Sequence, residues 1–93
     1  MNIKKHIIVK GKVQGVGFRY WLQSLANKKN IFGWVKNTIS GNVEALIVGN
    51  KKKVEDLIKL CKKGPLSSKV DHVKVNEYKK NYLKKSFDII KSD

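Results

Sequence analysis

The sequence predicts an α+β fold, one antiparallel sheet with two helices on a single face, in the order β-α-β-β-α-β plus a short final strand. Three observations predict it. Apolar residues alternate with period two in several short stretches and recur at helical spacing in two others, so strands and helices interleave along the chain. Glycine, asparagine or a Gly-Pro pair punctuates the joins. At 93 residues and 41% hydrophobic side chains, the chain has material for one domain, residues 1–93, with a single two-layer core.

From Ile3 to Val13 the odd positions Ile3, Ile7, Val9, Gly11 and Val13 are mostly apolar, while Lys4, His6, Lys10 and Lys12 alternate with them. That is a half-buried strand. Phe18, Leu22, Leu25 and Ala26 then share one stripe of a helix from about 19 to 29, with Gln23, Asn27 and Lys28 outside, and Asn30 closes it as a left-handed residue. Residues 31–38 and 42–49 read as two strands joined by Thr38-Ile39-Ser40-Gly41, with Val43, Ala45 and Ile47 on one buried face. Asn50 caps a second helix striped by Val54, Leu57, Ile58 and Cys61, which Gly64-Pro65 ends. Lys51, Lys52 and Lys53 crowd its positive end, against the helix dipole. Val70, Val73 and Val75 mark a fourth strand and Lys84 to Ile90 a final short one; Tyr78-Lys79-Lys80-Asn81-Tyr82 between them receives no element. This succession is the split βαβ, ferredoxin-like arrangement.

The stretch joining the first strand to the first helix is Gly11-Lys12-Val13-Gln14-Gly15-Val16-Gly17-Phe18-Arg19. Glycines at 11, 15 and 17 let the backbone curl with its N–H groups toward one small anion, and the helix start adds unpaired amides and partial positive charge. Arg19 falls in the first helical turn, where its planar fork can grip two oxygens of a tetrahedral anion. It is the only arginine among 21 basic residues. The spacing is neither the nucleotide P-loop, which needs Gly-x-x-x-x-Gly-Lys-Ser/Thr, nor the dinucleotide fingerprint.

Gly-x-Val-Gln-Gly-Val-Gly-Phe-Arg, followed by Gly33-Trp34-Val35-Lys36-Asn37 and Gly41-Asn42-Val43-Glu44, closely resembles the acylphosphatase family in motif and spacing. Gly64-Pro65 and Phe87-Asp88-Ile89 extend the resemblance over nearly the whole chain, with Asn30 and Ser40 standing where the family commonly has a glycine and an acidic residue. The resemblance implies a small ferredoxin-like enzyme that hydrolyses the carboxyl–phosphate anhydride of acyl phosphates without metal or cofactor. It also implies that Arg19 binds the phosphate and Asn37 orients the attacking water.

Geometry and chemistry agree with that implication. A right-handed crossover makes the first two strands parallel with the third between them, so Arg19 and Asn37 converge at one edge of the sheet although 18 positions apart. The backbone amides of Gln14, Gly15, Val16, Gly17 and Phe18 hold the phosphoryl oxygens beside Arg19. A carboxamide is no base near neutral pH, so Asn37 can only position water and the substrate has to be activated already. An acyl phosphate qualifies, because its carboxylate leaving group has a conjugate-acid pKa of about 4 and departs without a proton donor. A phosphate monoester would need an acid, a metal or a covalent nucleophile, for which the sequence has no evident set.

The remaining polar and aromatic residues read as structural. His6 and His72 are strand surface, Trp21, Trp34 and Phe18 are packing, Glu44 pairs with a lysine across strands, and Cys61 is a small core residue. The net charge of +14 raises a nucleic-acid reading. Against it, the charge is lysine scattered along the whole chain, with a single arginine, and the stretches Ile3 to Val9 and Asn42 to Val48 lack the aromatics on which bases stack. A third possibility is an accessory or phosphate-sensing module, since domains of this resemblance form part of larger carbamoyl-transferring maturation proteins. The sequence favours a free-standing, monomeric cytoplasmic enzyme acting on a small anionic acyl phosphate, with no nucleic acid, membrane, metal or cofactor; no apolar run approaches a membrane span and no signal peptide is evident.

Overall fold

The computed structural model describes residues 1–93. Strand β1 (Asn2–Lys12) leads into helix α1 (Phe18–Lys28), the hairpin β2 (Phe32–Asn37) and β3 (Val43–Asn50), helix α2 (Lys51–Lys63), and strands β4 (Lys69–Glu77) and β5 (Phe87–Ile89). The five strands form one sheet in the order β4-β1-β3-β2-β5. The element order is the expected one, and most boundaries fall within one or two residues of the sequence reading.

Register decides what is buried. Ile7 lies opposite Ala45 and Val75, Val9 opposite Val43 and Val73, and Val35 opposite Ala45. Because side chains alternate across a sheet, these residues all point to the side covered by the helices. There they meet Phe18, Leu22 and Ala26 of α1 and Val54, Leu57, Ile58 and Cys61 of α2 in one apolar cluster. Helix α1 lies over β2 and β5, and α2 over β4, β1 and β3. Burial pushes the Cys61 thiol up to about 12, so it is an inert core group.

Helix ends follow local chemistry. Asn50 Oδ1 accepts from the amides of Lys52 and Lys53 at 3.0 and 3.3 Å, the expected N-cap of α2. Asn30, with φ of 55°, is the left-handed residue after α1. Lys52 meets Asp56 one turn on at 3.4 Å, which offsets part of the lysine crowding at the start of α2.

Two expectations need correction. The sheet is mixed rather than antiparallel, because β5 runs parallel to β2, with Gly33 opposite Phe87 and Val35 opposite Ile89. The cause is the connection from β4, which stands at the far edge. Residues 78–86 cross the sheet end at which β2 begins, so the chain enters β5 in the direction of β2. The Tyr82 hydroxyl fastens this crossing to Gly33 O at 3.2 Å, and its pKa is raised, chiefly by burial and then by Asp88. Only Phe87–Ile89 of the expected strand 84–90 pairs, with Phe87 sealing the core edge.

The second correction concerns Gly11. It belongs to β1 and not to the loop 13–17: the register against β4 shifts between Lys10 and Gly11 in a β-bulge. A Cβ there would lie 2.2 Å from Lys69 O, so glycine is required for the close approach of β4. Gly15 and Gly17, at φ of 72° and 77°, remain in the loop with open space where a Cβ would stand.

Alanine at Gly11 and at Gly15 should therefore differ in cost. Each carries left-handed strain of about 1–3 kcal/mol, and only Gly11→Ala adds a main-chain clash. Urea unfolding of the two variants should show the larger loss of stability for Gly11→Ala.

Candidate active site

Strand β3 is antiparallel to both β1 and β2, which makes β1 and β2 parallel and ends them at the same edge of the sheet. The loop 13–17 leaves β1 at that edge, α1 begins there, and Asn37 is the last residue of β2. Asn37 is two positions beyond Val35 and so points to the helix-covered side. Gln14 to Phe18, Arg19 and Asn37 are thus brought to one end and one face of the molecule.

The loop presents its donors unspent. Gly17, in the left-handed conformation, caps α1 with no side-chain bond. None of the N–H groups of Gln14, Gly15, Val16 and Gly17 donates to a backbone carbonyl. The first turn of α1 adds the amides that any helix start leaves unpaired and contains no acidic residue. Arg19 is half-buried in that turn and takes part in none of the six ion pairs, so its guanidinium is uncommitted.

At Asn37 a polar atom is left over. Its Oδ1 is buried without a hydrogen-bond partner, and it is the one side-chain atom in the protein in that condition. Buried acceptors are normally satisfied, and the exceptions concentrate where a water or ligand completes the arrangement.

The loop and the hairpin are joined by a side chain that the sequence reading used only for its backbone. Gln14 Nε2 donates to Thr38 O and to Asn42 O, both at 2.8 Å. The signal in the sequence was the hydrogen-bonding side chain inside a glycine loop, but its partners are 24 and 28 residues away and no local pattern names them.

The helix-free face holds a separate polar group. His6 Nε2 and Glu44 Oε2 are 2.6 Å apart, Lys36 Nζ reaches Glu44 Oε1 at 3.8 Å and Asp93 Oδ1 at 2.7 Å, and Trp34 packs edge-on to His6. The hydrogen bond that Lys36 donates to Asp93, then the Glu44 charge, holds the Lys36 ammonium above its ordinary pKa. Lys36 precedes Asn37 in the chain yet faces away from it, by the same period-two alternation. The expected Glu44–lysine pair is present, with His6 as the nearer partner. His72 is exposed, and Phe18 and Trp21 pack edge to face at 5.2 Å.

The one surface cavity, about 420 Å³, lies elsewhere, between α2 and β1–β4, lined by Lys5, Lys52, Lys59 and Lys62 with Glu55 and Asp56. No group of three or more His, Cys, Asp and Glu side chains comes together, and no helix is long and apolar enough to cross a membrane.

A loop of free amides, an arginine in the first helical turn and a strand-end asparagine share one edge of a ferredoxin-like sheet, and the sequence model of the acylphosphatase family matches residues 5–89. The chain belongs to the acylphosphatase family. An acylphosphatase of Alcanivorax borkumensis is 42% identical over 73 residues, spanning 78% of this chain and 79% of its own. The crystal structure of acylphosphatase from Bacillus subtilis matches with a TM-score of 0.90 at 39% identity, covering 97% of this chain and 99% of that one. Full-length HypF, in its phosphate- and nucleotide-bound form, contains a similar region, with a TM-score of 0.89 and 33% identity over 100% of this chain and 12% of HypF. Acylphosphatases are hydrolases, and the mixed five-stranded sheet with two helices is shared with these structures.

Asn37 gives a stability prediction independent of catalysis. Its buried oxygen makes no bond, so Asn37→Ala should leave the unfolding free energy within about 0.5 kcal/mol of the parent or raise it, because an unmet desolvation cost of about 1–3 kcal/mol is removed. Denaturant titration measures this directly.

Proposed function

We propose that the chain, acting as one acylphosphatase domain over residues 1–93, hydrolyses the carboxyl–phosphate anhydride of small acyl phosphates by direct attack of water. The backbone amides of Gln14 to Phe18 hold the phosphoryl oxygens, and Arg19 neutralises them with paired N–H donors. Asn37 positions the water in line with the anhydride oxygen. Water oxygen bonds to phosphorus as the P–O bond of the anhydride breaks, and the electron pair departs with the carboxylate.

The observation that carries this reading is the buried, unpartnered Asn37 Oδ1. A carboxamide oxygen only accepts, and an O–H of the attacking water is the donor that would complete it. The unspent amides of the loop support the anion half of the reading. Because the leaving carboxylate has a conjugate-acid pKa of about 4, positioning and charge stabilisation suffice and no side chain has to trade a proton with the leaving group. The net charge of +14 attracts anionic substrates from a distance, an effect that salt screens. The reading extends to a monomeric cytoplasmic enzyme that uses no cofactor and binds no nucleic acid.

Hydrolysis of a model acyl phosphate such as benzoyl phosphate, in the presence of a chelator, tests it. Arg19→Ala should lower kcat/KM by about 10²–10³-fold, and Arg19→Lys nearly as much, because charge without the fork does not bridge two oxygens. Asn37→Ala should lower kcat by a similar factor while competitive inhibition by inorganic phosphate persists. Activity surviving Arg19→Ala, or phosphate inhibition lost with Asn37, would reverse the assignment.

A further inference from the structure

Gln14 sits at the exit of β1, half-buried, with both hydrogens of its carboxamide committed: one to Thr38 O and one to Asn42 O, each at 2.8 Å. The match is complete on both sides. An NH₂ group has two donors, the hairpin offers two carbonyls, and exchanging Nε2 with Oε1 would set oxygen against oxygen, so the partners themselves fix the orientation.

The position of this bond in the topology gives it weight. Strands β1 and β2 are not neighbours, since β3 lies between them. No ladder bond therefore joins β1 to β2 directly; their ends are tied through Val43 of β3, opposite both Val9 and Asn37, and Gln14 supplies the only side-chain bonds between loop 14–17 and hairpin turn 38–42. Thr38 directly follows Asn37. The turn itself is held by Thr38 N–H to Asn42 O at 2.9 Å, Gly41 N–H to Thr38 O at 3.1 Å and Asn42 N–H to Thr38 Oγ1 at 3.2 Å. The turn is thus bonded within itself, and Asn37, opposite Val43 at the end of the β2–β3 ladder, leads directly into it.

We infer that the Gln14 side chain is a positioning residue that sets the separation between the anion-holding loop and Asn37, a role distinct from that of its backbone amide and resting on the roles proposed for Arg19 and Asn37. Its loss leaves the loop donors and the guanidinium intact while releasing the hairpin that aims the water. Displacements of about 1 Å at a reacting centre cost on the order of 10²-fold in rate. Without Gln14, Thr38 O still receives the Gly41 amide and Asn42 O the Thr38 amide, so no buried carbonyl is orphaned and the variant folds.

The experiment compares Gln14→Leu, Gln14→Asn and Gln14→Glu with the parent protein, using benzoyl phosphate as substrate and inorganic phosphate as inhibitor. Gln14→Leu should lower kcat about 10- to 10²-fold with KM and the phosphate inhibition constant within about twofold. Gln14→Asn, one methylene short of spanning both carbonyls, should fall between. Gln14→Glu should match Gln14→Leu near neutral pH, where a carboxylate only accepts. It should recover relative to the parent as pH falls through the carboxyl range, about 4.3 or above beside two carbonyls, because the protonated acid regains one donor. Unchanged kcat in Gln14→Leu overturns the inference, and so does a phosphate inhibition constant that weakens in step with kcat, since the side chain would then belong to the anion cradle. A second readout stands apart from activity. Amide hydrogen exchange at Gly41 and Asn42 should accelerate about tenfold or more in Gln14→Leu while core amides of β1 and β3 keep their rates; unaltered exchange in the turn overturns the inference even if the parent protein proves to hydrolyse no acyl phosphate, the result that would sink the proposed reaction instead.

Discussion

The central constraint is the parallel alignment of β1 and β2 around an antiparallel β3. It follows from the handedness of the β-α-β crossover, and it decides that two segments remote in sequence finish at one edge of the sheet. The start of α1, the free amides before it and the strand-end carboxamide are thereby brought to one neighbourhood, within which the Gln14 side chain ties the loop to the hairpin. Ferredoxin-like sheets place strand ends together as a matter of topology; to this the chain adds a loop with two glycines in left-handed geometry whose N–H groups donate to no main-chain carbonyl.

Much of this was legible in the sequence because the relevant signals are local. The alternation of Ile7 and Val9 with Lys4, His6, Lys10 and Lys12 fixes a face; Asn50 before a lysine-rich helix and Asn30 after an amphipathic one announce caps; the lone arginine stands out against 20 lysines. The candidate site was legible for the same reason, with motif residues lying within a few positions of one another on each strand end. What escaped was non-local. The direction of β5 depends on where residues 78–86 cross, and a three-residue strand has no pattern that encodes its orientation. Gly11 looked like part of a glycine loop by spacing, although its requirement comes from Lys69, 58 residues on, at a bulge. Gln14 likewise reveals its side-chain partners only when the hairpin is folded beside it.

The distribution of charge separates structure from chemistry. Lys36, Glu44, His6 and Asp93 satisfy one another on the helix-free face, and Lys5 pairs with Glu77, whose carboxyl is held below its ordinary range by that contact. Arg19 takes part in none of the ion pairs, and unlike the equally unpaired surface lysines it is half-buried at the start of α1, beside loop amides that make no main-chain bond. Position rather than overall basicity is what distinguishes this guanidinium from the lysines scattered over the surface.

The parallel pairing of β5 with β2 has a bearing on self-association. Phe87–Ile89 is the one segment that covers the outer side of β2, and whenever it is undocked that side shows bare main-chain groups. Those groups are a template for pairing with another chain. A three-residue strand thus guards an edge along which copies of this small domain could otherwise stick to one another.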